Sequence, residues 1–282
     1  MTAPMPQGSP LDQAGALDAV WHWVTAYALL LPRPLALLSI NPVFTRTDLS
    51  NLLKGMIATG LLLPFWPMTA TAVAQAPASA FTFVLLSIKE ALVGTALGLP
   101  LSLPFWVLLS AGDIIDQQRG ATQGRLNDPA GFGDLSIVGT LFLLCGIAIL
   151  AETGHLDQTA DALYRSWRVW RPLEFLPIPD VRAADLVLHL LDEVQRQSLT
   201  LAAPVLLVML IGDVAMMLLA RMAPQLRADD LSLAVRNLVF MIFMPLYAGF
   251  FVLYAAGIEN QLARGLRILG AVLPPSATGA AP

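Results

Sequence analysis

The stretch FTFVLLSIKEALVGTALGLPLSLPFWVLLSAG, residues 81–112, decides the class of fold. It is almost wholly apolar and shows no strand-like alternation, yet Lys89, Glu90, Pro100 and Pro104 lie within it. A membrane-spanning helix needs about 20 apolar residues to cross roughly 30 Å of hydrocarbon. A straight helix over 80–112 would reach ~50 Å at 1.5 Å per residue. Each proline removes a backbone donor and crowds the preceding turn, so the sequence predicts a broken helix or a tight hairpin here. Lys89 and Glu90 point about 100° apart on a helix and cannot share one solvated face. A charge at mid-membrane costs about 2.5–3.5 kcal/mol on insertion scales. Protein partners or a water-filled path must therefore receive at least one of the two.

Five further apolar stretches flank this one, at roughly 20–44, 52–74, 135–151, 199–220 and 233–257. Backbone groups in lipid must be satisfied internally. The expected fold class is therefore all-α, a membrane-associated set of helical hairpins with broken helices. Composition agrees: 56% of the residues are hydrophobic and only 13% charged, against about 25% charged in soluble domains. Lipid or apolar partner proteins must cover much of the surface. The chain divides into an N-terminal tail (1–19), one domain (20–268) with a long polar loop at 152–198, and a flexible C-terminal tail (269–282). The first residues hold no Lys or Arg ahead of an apolar core and do not read as a signal peptide.

The formal charge of −4 is mild and lacks the clustered basic residues of a nucleic-acid binder. If all six stretches crossed the membrane, one side would hold seven Arg or Lys and the other six. Ordinary inner-membrane proteins show a clear excess on the cytoplasmic side. Some stretches are therefore expected to pack against other subunits instead of lipid. Arg33, Asp213 and Arg236 also fall inside apolar stretches. Arg33 and Arg236 sit near stretch ends, where long side chains can snorkel to the interface.

Catalytic chemistry finds no frame. Asp113, Asp116 and Gln117 share a helix face by their spacing, but no His or third carboxylate joins them. They begin a polar, Gly-rich passage that reads either as a solvated loop or as a mobile element lining a conduit. Gly120, Gly124, Gly131 and Gly133 would allow left-handed backbone there. His22, His155 and His189 are too far apart in sequence for a metal-ligand motif, and no cofactor or metal is expected. Cys145, the only cysteine, reads as a small buried thiol. Gly94 and Gly98 form a small-xxx-small pattern that lets helices approach. The 152–198 region has an amphipathic opening, then Trp167, Arg168, Trp170 and Arg171, which suit a membrane interface or a partner surface.

Three segments carry a resemblance. KEALVGTALGLPLSLPFWVLLSAGDIIDQQRGATQGRLNDPAG (89–131) resembles the core signature of the SctT proteins, the type III secretion counterparts of flagellar FliR (the FliR/SctT/HrcT/SpaR family). LYRSWRVWRPL (163–173) is similar to that family's Tyr-Ser-Trp-Pro region, with Arg171 set between Trp170 and Pro172. DVAMMLLARMAPQLRADDLSLAVRN (213–237) is similar to its second hallmark, the Arg-x-Ala-Pro-Gln-Leu run that starts here at Arg221. The run from Asp116 to Gly120 is closer to the injectisome form than to the flagellar one, and Asp229-Asp230 is a departure from many relatives.

The resemblance implies a non-enzymatic subunit of a bacterial inner-membrane export gate. It would join SctR-like and SctS-like partners, with SctU-like and SctV-like components nearby, in a pseudo-helical stack largely drawn up out of the lipid. Unfolded secreted proteins would be the cargo, moved by the proton-motive force and a separate ATPase. The same resemblance implies a channel plug at Asp113, Ile114, Ile115, Asp116, Gln117, Gln118, Arg119, Gly120, Ala121, Thr122, Gln123, Gly124, Arg125, Leu126, Asn127, Asp128 and Pro129. Lys89, Glu90, Asp213, Arg221 and Arg236 become candidates for buried charge or subunit contact. Two other readings stand beside it: a flagellar FliR-type subunit, and a secondary transporter coupled through Lys89, Glu90 and Asp213.

Overall fold

The computed structural model describes residues 10–45, 49–75, 79–120, 136–152, 154–175, 182–222 and 228–272. Every regular element among them is an α-helix. In chain order these are α1 (Pro10–Leu30), α2 (Pro32–Ile40), α3 (Pro42–Thr45), α4 (Asn51–Leu62), α5 (Trp66–Gln75) and α6 (Ala80–Gln118). Then come α7 (Ile137–Glu152), α8 (His155–Val169), α9 (Arg182–Met222) and α10 (Ala228–Val272).

Local chemistry sets several boundaries. Pro32 opens α2 at its first turn, where the missing N–H would be unsatisfied in any case. Ser50 caps α4 by accepting the Leu53 N–H at 3.3 Å, and Ser79 caps α6 by accepting the Thr82 N–H at 3.2 Å. Pro64 lies in the turn between α4 and α5, which are bent by 73°. Gly120 ends α6 at φ 73°, a left-handed stop in which glycine meets no Cβ penalty. Its N–H returns to the Gln117 carbonyl at 3.1 Å.

The third apolar stretch departs from expectation. It forms no break or hairpin: α6 runs uninterrupted through Pro100 and Pro104 for 39 residues. The two prolines remove two hydrogen bonds. A break would orphan up to four N–H and four C=O groups, each costing several kcal/mol in an apolar setting. Continuing the helix leaves fewer groups unsatisfied.

Among the described residues, four helical segments are long and apolar enough to cross a membrane: Leu17–Ile40, Ala80–Gln118, Leu188–Met222 and Leu231–Tyr254. The bent pair α4–α5 makes a fifth if it counts as one broken span. The fourth stretch falls short, because its apolar helical part is only Ile137–Ile149, ~20 Å long.

The chain forms two compact units. The first contains Met1–Leu99 and Ala160–Pro179, the second Pro100–Thr159 and Asp180–Pro274. In the first, α1 packs on α5 around Ala26, Ala70 and Val73, with Trp66 and Leu173 against them. Trp66 donates its indole N–H to the Trp23 carbonyl at 2.8 Å. Amphipathic α8 turns Leu163 and Trp167 inward, and Phe65 lies 5.0 Å from the Trp167 ring. In the second, α9 and α10 pair antiparallel, since Gln197 meets Tyr254, Leu201 meets Tyr247, and Asp213 meets Arg236. Their core closes on Val107, Leu108, Ala111 and Ile115 of α6 and on Val138 and Phe142 of α7.

Several single-residue expectations change. Arg33 does not snorkel; it is fully buried. Trp167 and Trp170 are buried within the first unit, while Arg168 and Arg171 are exposed. Cys145 is exposed, on a face of α7 shared with exposed Leu141 and Leu144. An apolar helix with an outward apolar face is what lipid or a partner would cover. The same holds for α9 and α10, where Ile211, Met217, Leu218, Met241, Leu246 and Leu253 are all exposed.

Candidate functional site

The charges that the sequence isolates are gathered into two clusters, one in each unit. In the first unit, Glu90 of α6 and Arg33 of α2 are both wholly buried and meet directly. Arg33 Nη2 donates to Glu90 Oε1 at 2.8 Å and to the Trp170 carbonyl at 3.2 Å, and Nη1 donates to Ser166 Oγ at 2.9 Å. Arg33 Nε lies 2.7 Å from Glu90 Oε2, close enough for a strong Coulomb term but off the line of a hydrogen bond. The Trp167 indole N–H adds a longer bond to Glu90 Oε2 at 3.4 Å, and the Arg33 guanidinium lies 5.7 Å from the Trp167 ring centroid.

Lys89 takes the other direction. Its ammonium lies 2.6 Å from Glu90 Oε1 and donates at 3.0 Å to each of three backbone carbonyls, those of Arg171, Pro172 and Glu174. These carbonyls belong to the turn that leaves α8. The two neighbours on α6 thus meet each other and also reach different further partners, Arg33 of α2 and the turn after α8, all within this chain.

Glycine makes the approach possible. A Cβ on Gly94 would collide with the Arg33 backbone carbonyl, and one on Gly98 would lie 3.2 Å from the Leu37 Cα. The small-xxx-small pattern of α6 is therefore used by α2 of the same chain.

In the second unit the polar cluster forms at the end of α6. Asp116, fully buried, accepts through Oδ2 from the Ser136 hydroxyl at 2.7 Å and from the Val138 N–H at 3.0 Å. Ser136 Oγ accepts the Gly139 N–H at 2.7 Å. A buried carboxylate and a serine together satisfy the first turn of α7, where the helix dipole favours negative charge. Arg119 Nη2 lies 3.5 Å from Asp116 Oδ1, and the guanidinium sits 4.3 Å from the Phe240 ring centroid.

Asp213 of α9 and Arg236 of α10 complete the cluster at 2.5 Å. Arg236 Nη1 donates to the Gln118 carbonyl at 3.4 Å, and the Gln118 amide donates to Asp213 Oδ2 at 3.4 Å. A cation beside the last carbonyls of α6 complements the negative end of that helix.

Most of the described plug candidates are thus helical: residues 113–118 form the last turns of α6, followed by Arg119 and Gly120. Ala121, Thr122, Gln123, Gly124, Arg125, Leu126, Asn127, Asp128 and Pro129 lie outside the described residues. Arg221 stands exposed in the last turn of α9, apart from the cluster. Sequence reasoning missed Ser136 and the pair Gly112 and Gly139, where a Cβ on Gly112 would strike the Gly139 backbone. The signal for Ser136 was its place as a capping residue immediately before an apolar helix. Among the described residues no group of three or more His, Cys, Asp or Glu could hold a metal ion.

The described residues define a multi-pass, all-helical membrane protein whose two clusters of buried charge are paired within the chain and whose helices α7, α9 and α10 expose apolar faces. The chain belongs to a family of bacterial export proteins, described as "Bacterial export proteins, family 1", which matches residues 24–261. It is similar to the Yop proteins translocation protein T of Yersinia pestis, at 31% identity over 234 residues, covering 82% of this chain and 88% of that protein. It is also similar to the surface presentation of antigens protein SpaR of Salmonella typhimurium, at 32% identity over 229 residues, 81% of this chain and 84% of that one. The flagellar biosynthetic protein FliR of Pectobacterium carotovorum is 29% identical over 243 residues, 81% of this chain and 88% of its own length.

Proposed function

We infer that this chain is the SctT-type subunit of the inner-membrane export gate of a type III protein secretion system, and that it works without catalysis. The observation that carries this is the match to export proteins over 24–261, which includes both charge clusters and the two signatures around them. The buried Asp116 carboxylate is engaged in capping α7, which supports a structural role for it over acid–base work.

The partners are SctR-like and SctS-like gate subunits, with SctU-like and SctV-like components beside them, and the cargo is unfolded secreted protein. The exposed apolar faces of α7, α9 and α10 support burial against such partners and lipid. Residues 113–129 serve as the plug of the resting channel, with Asp213, Arg236 and Asp116 holding its root. Lys89 and Glu90 act inside the subunit, and Arg221 is the member of the set exposed for a subunit contact.

The test is to shorten 121–129 with glycine while keeping 113–120 in place. Cells carrying the shortened chain with its partners become permeable to ions and small solutes; a membrane that stays sealed overturns the plug role. The flagellar relative favours a second reading, a flagellar gate. Complementation separates the two: restored effector secretion supports the injectisome role, and restored motility the flagellar one.

A further inference from the structure

Ser136 and Asp116 face each other across the connection from α6 to α7, and their side chains are hydrogen-bonded at 2.7 Å. The joint around them has no slack. Gly112, one turn before Asp116 on the same face of α6, leaves no room for a Cβ against the Gly139 backbone. Gly139 is itself capped by Ser136, and Val138 by Asp116. Leu108 fills the space beside Gly146 two turns further along α7. Behind the joint, Arg119 stacks on Phe240, and Arg236 holds the Gln118 carbonyl. Parting α6 from α7 would strip a fully buried carboxylate of two donors at once; Arg119 stays beside it at 3.5 Å, but losing two hydrogen bonds to a buried charged group is strongly unfavourable.

We propose that the α6–α7 joint is a fixed mount that stays closed while protein is exported, the two stems not separating. The proposal rests on the export-gate reading, and it assigns Asp116 and Ser136 as positioning residues. It predicts that the joint excludes water in the resting gate and in the loaded one alike.

Accessibility of position 136 tests this. Ser136→Cys keeps a small polar atom at the cap, and Cys145→Ser removes the competing thiol. The full chain is produced with its partner subunits in cells lacking the native copy. N-ethylmaleimide is applied to resting cells and to cells whose gate holds a cargo fused to a domain that resists unfolding. Labelling at 136 is expected below about a tenth of that in denatured protein in both states. A tenfold rise on cargo loading overturns the proposal.

Should Ser136→Cys fail to accumulate, the pair Leu108→Cys and Gly146→Cys, which joins α6 to α7 and leaves the cap intact, gives the second arm. Once oxidised, the linked stems should secrete a reporter as well as the reduced form. A block that reductant reverses means that the stems must part. A strain lacking the chain that secretes normally would remove the export-gate reading instead, and labelling at 136 would still report whether the joint opens.

Discussion

Arg33 and Glu90, 57 residues apart in sequence, form a fully buried ion pair that joins α2 to α6. Removing two charges from water costs several kcal/mol per ion, and the pair is sustained only if its remaining donors and acceptors are satisfied. Here Ser166, Trp170 and Trp167 take up further donors and acceptors of the pair, while Arg33 Nε has only its charge contact with Glu90. Arg33→Met or Glu90→Met breaks the buried pair and should cost about 3–5 kcal/mol, with Arg33→Met the milder of the two because Lys89 remains beside Glu90. The double change Arg33→Met with Glu90→Met should cost clearly less than the sum. Thermal unfolding of the purified gate complex measures this; two single losses that simply add would mean the pair is not coupled.

Lys89 is predicted to hold the turn after α8 and not merely to balance Glu90. Lys89→Met removes the donors that serve the carbonyls of Arg171, Pro172 and Glu174. Charged hydrogen bonds contribute about 1.5–3 kcal/mol net, so opening of this turn should become about ten- to hundredfold more frequent. Endoproteinase Glu-C cleavage after Glu174, which is exposed, should accelerate accordingly. Lys89→Arg should show an intermediate rate, and equal rates in wild type and Lys89→Met would refute the anchoring role.

The class of this protein was legible in its composition, because a chain this apolar and this short of charge has too little polar surface to face water. That Lys89 and Glu90 needed partners was legible too, from their offset on one helix. Their identity was not: Arg33 and the Trp170 carbonyl are brought to Glu90 only by the packing of α2 and α8 on α6. The break expected at Pro100 and Pro104 failed because local proline chemistry was weighed without the larger number of groups that a break would orphan. Gly112 and Gly139 escaped notice because their pairing runs between helices and makes no period along the chain. Cys145 was misplaced since an apolar neighbourhood in sequence says nothing about which face meets a neighbour.

The glycines provide a contrast on one chain. In an exposed helix interior, Gly→Ala is favourable by about 0.8–1 kcal/mol. Gly55 and Gly60 of α4 have nothing near the position of a Cβ, so Gly55→Ala and Gly60→Ala should leave stability unchanged or slightly raised. At Gly94 and Gly112 the added methyl meets backbone, which cannot step aside as a side chain can. Overpacking of this kind costs about 1–3 kcal/mol. Accumulation in the membrane and thermal unfolding should rank Gly94→Ala and Gly112→Ala well below the α4 pair. The reverse order would mean that α2 and α7 do not approach α6 as described.

Asp213 and Arg236 lie between the buried and the exposed regimes, with side chains 17% and 32% exposed. Exposed pairs contribute about 0–1 kcal/mol, whereas breaking a buried one costs about 3–5; for Asp213→Ala or Arg236→Ala we expect about 1–3 kcal/mol. The two changes should differ in kind. Arg236→Ala also releases the Gln118 carbonyl at the end of α6, so it should loosen the root of the proposed plug and raise ion leakage. In Asp213→Ala the arginine keeps that carbonyl, and leakage should stay near the wild-type level. Arg236→Lys keeps the charge but loses the planar fork that reaches Asp213 through Nε and the Gln118 carbonyl through Nη1, and should restore stability more fully than the seal. Conductance across cells expressing each gate separates the outcomes: equal leakage from Asp213→Ala and Arg236→Ala would show that the bond to α6 has no part in holding the root.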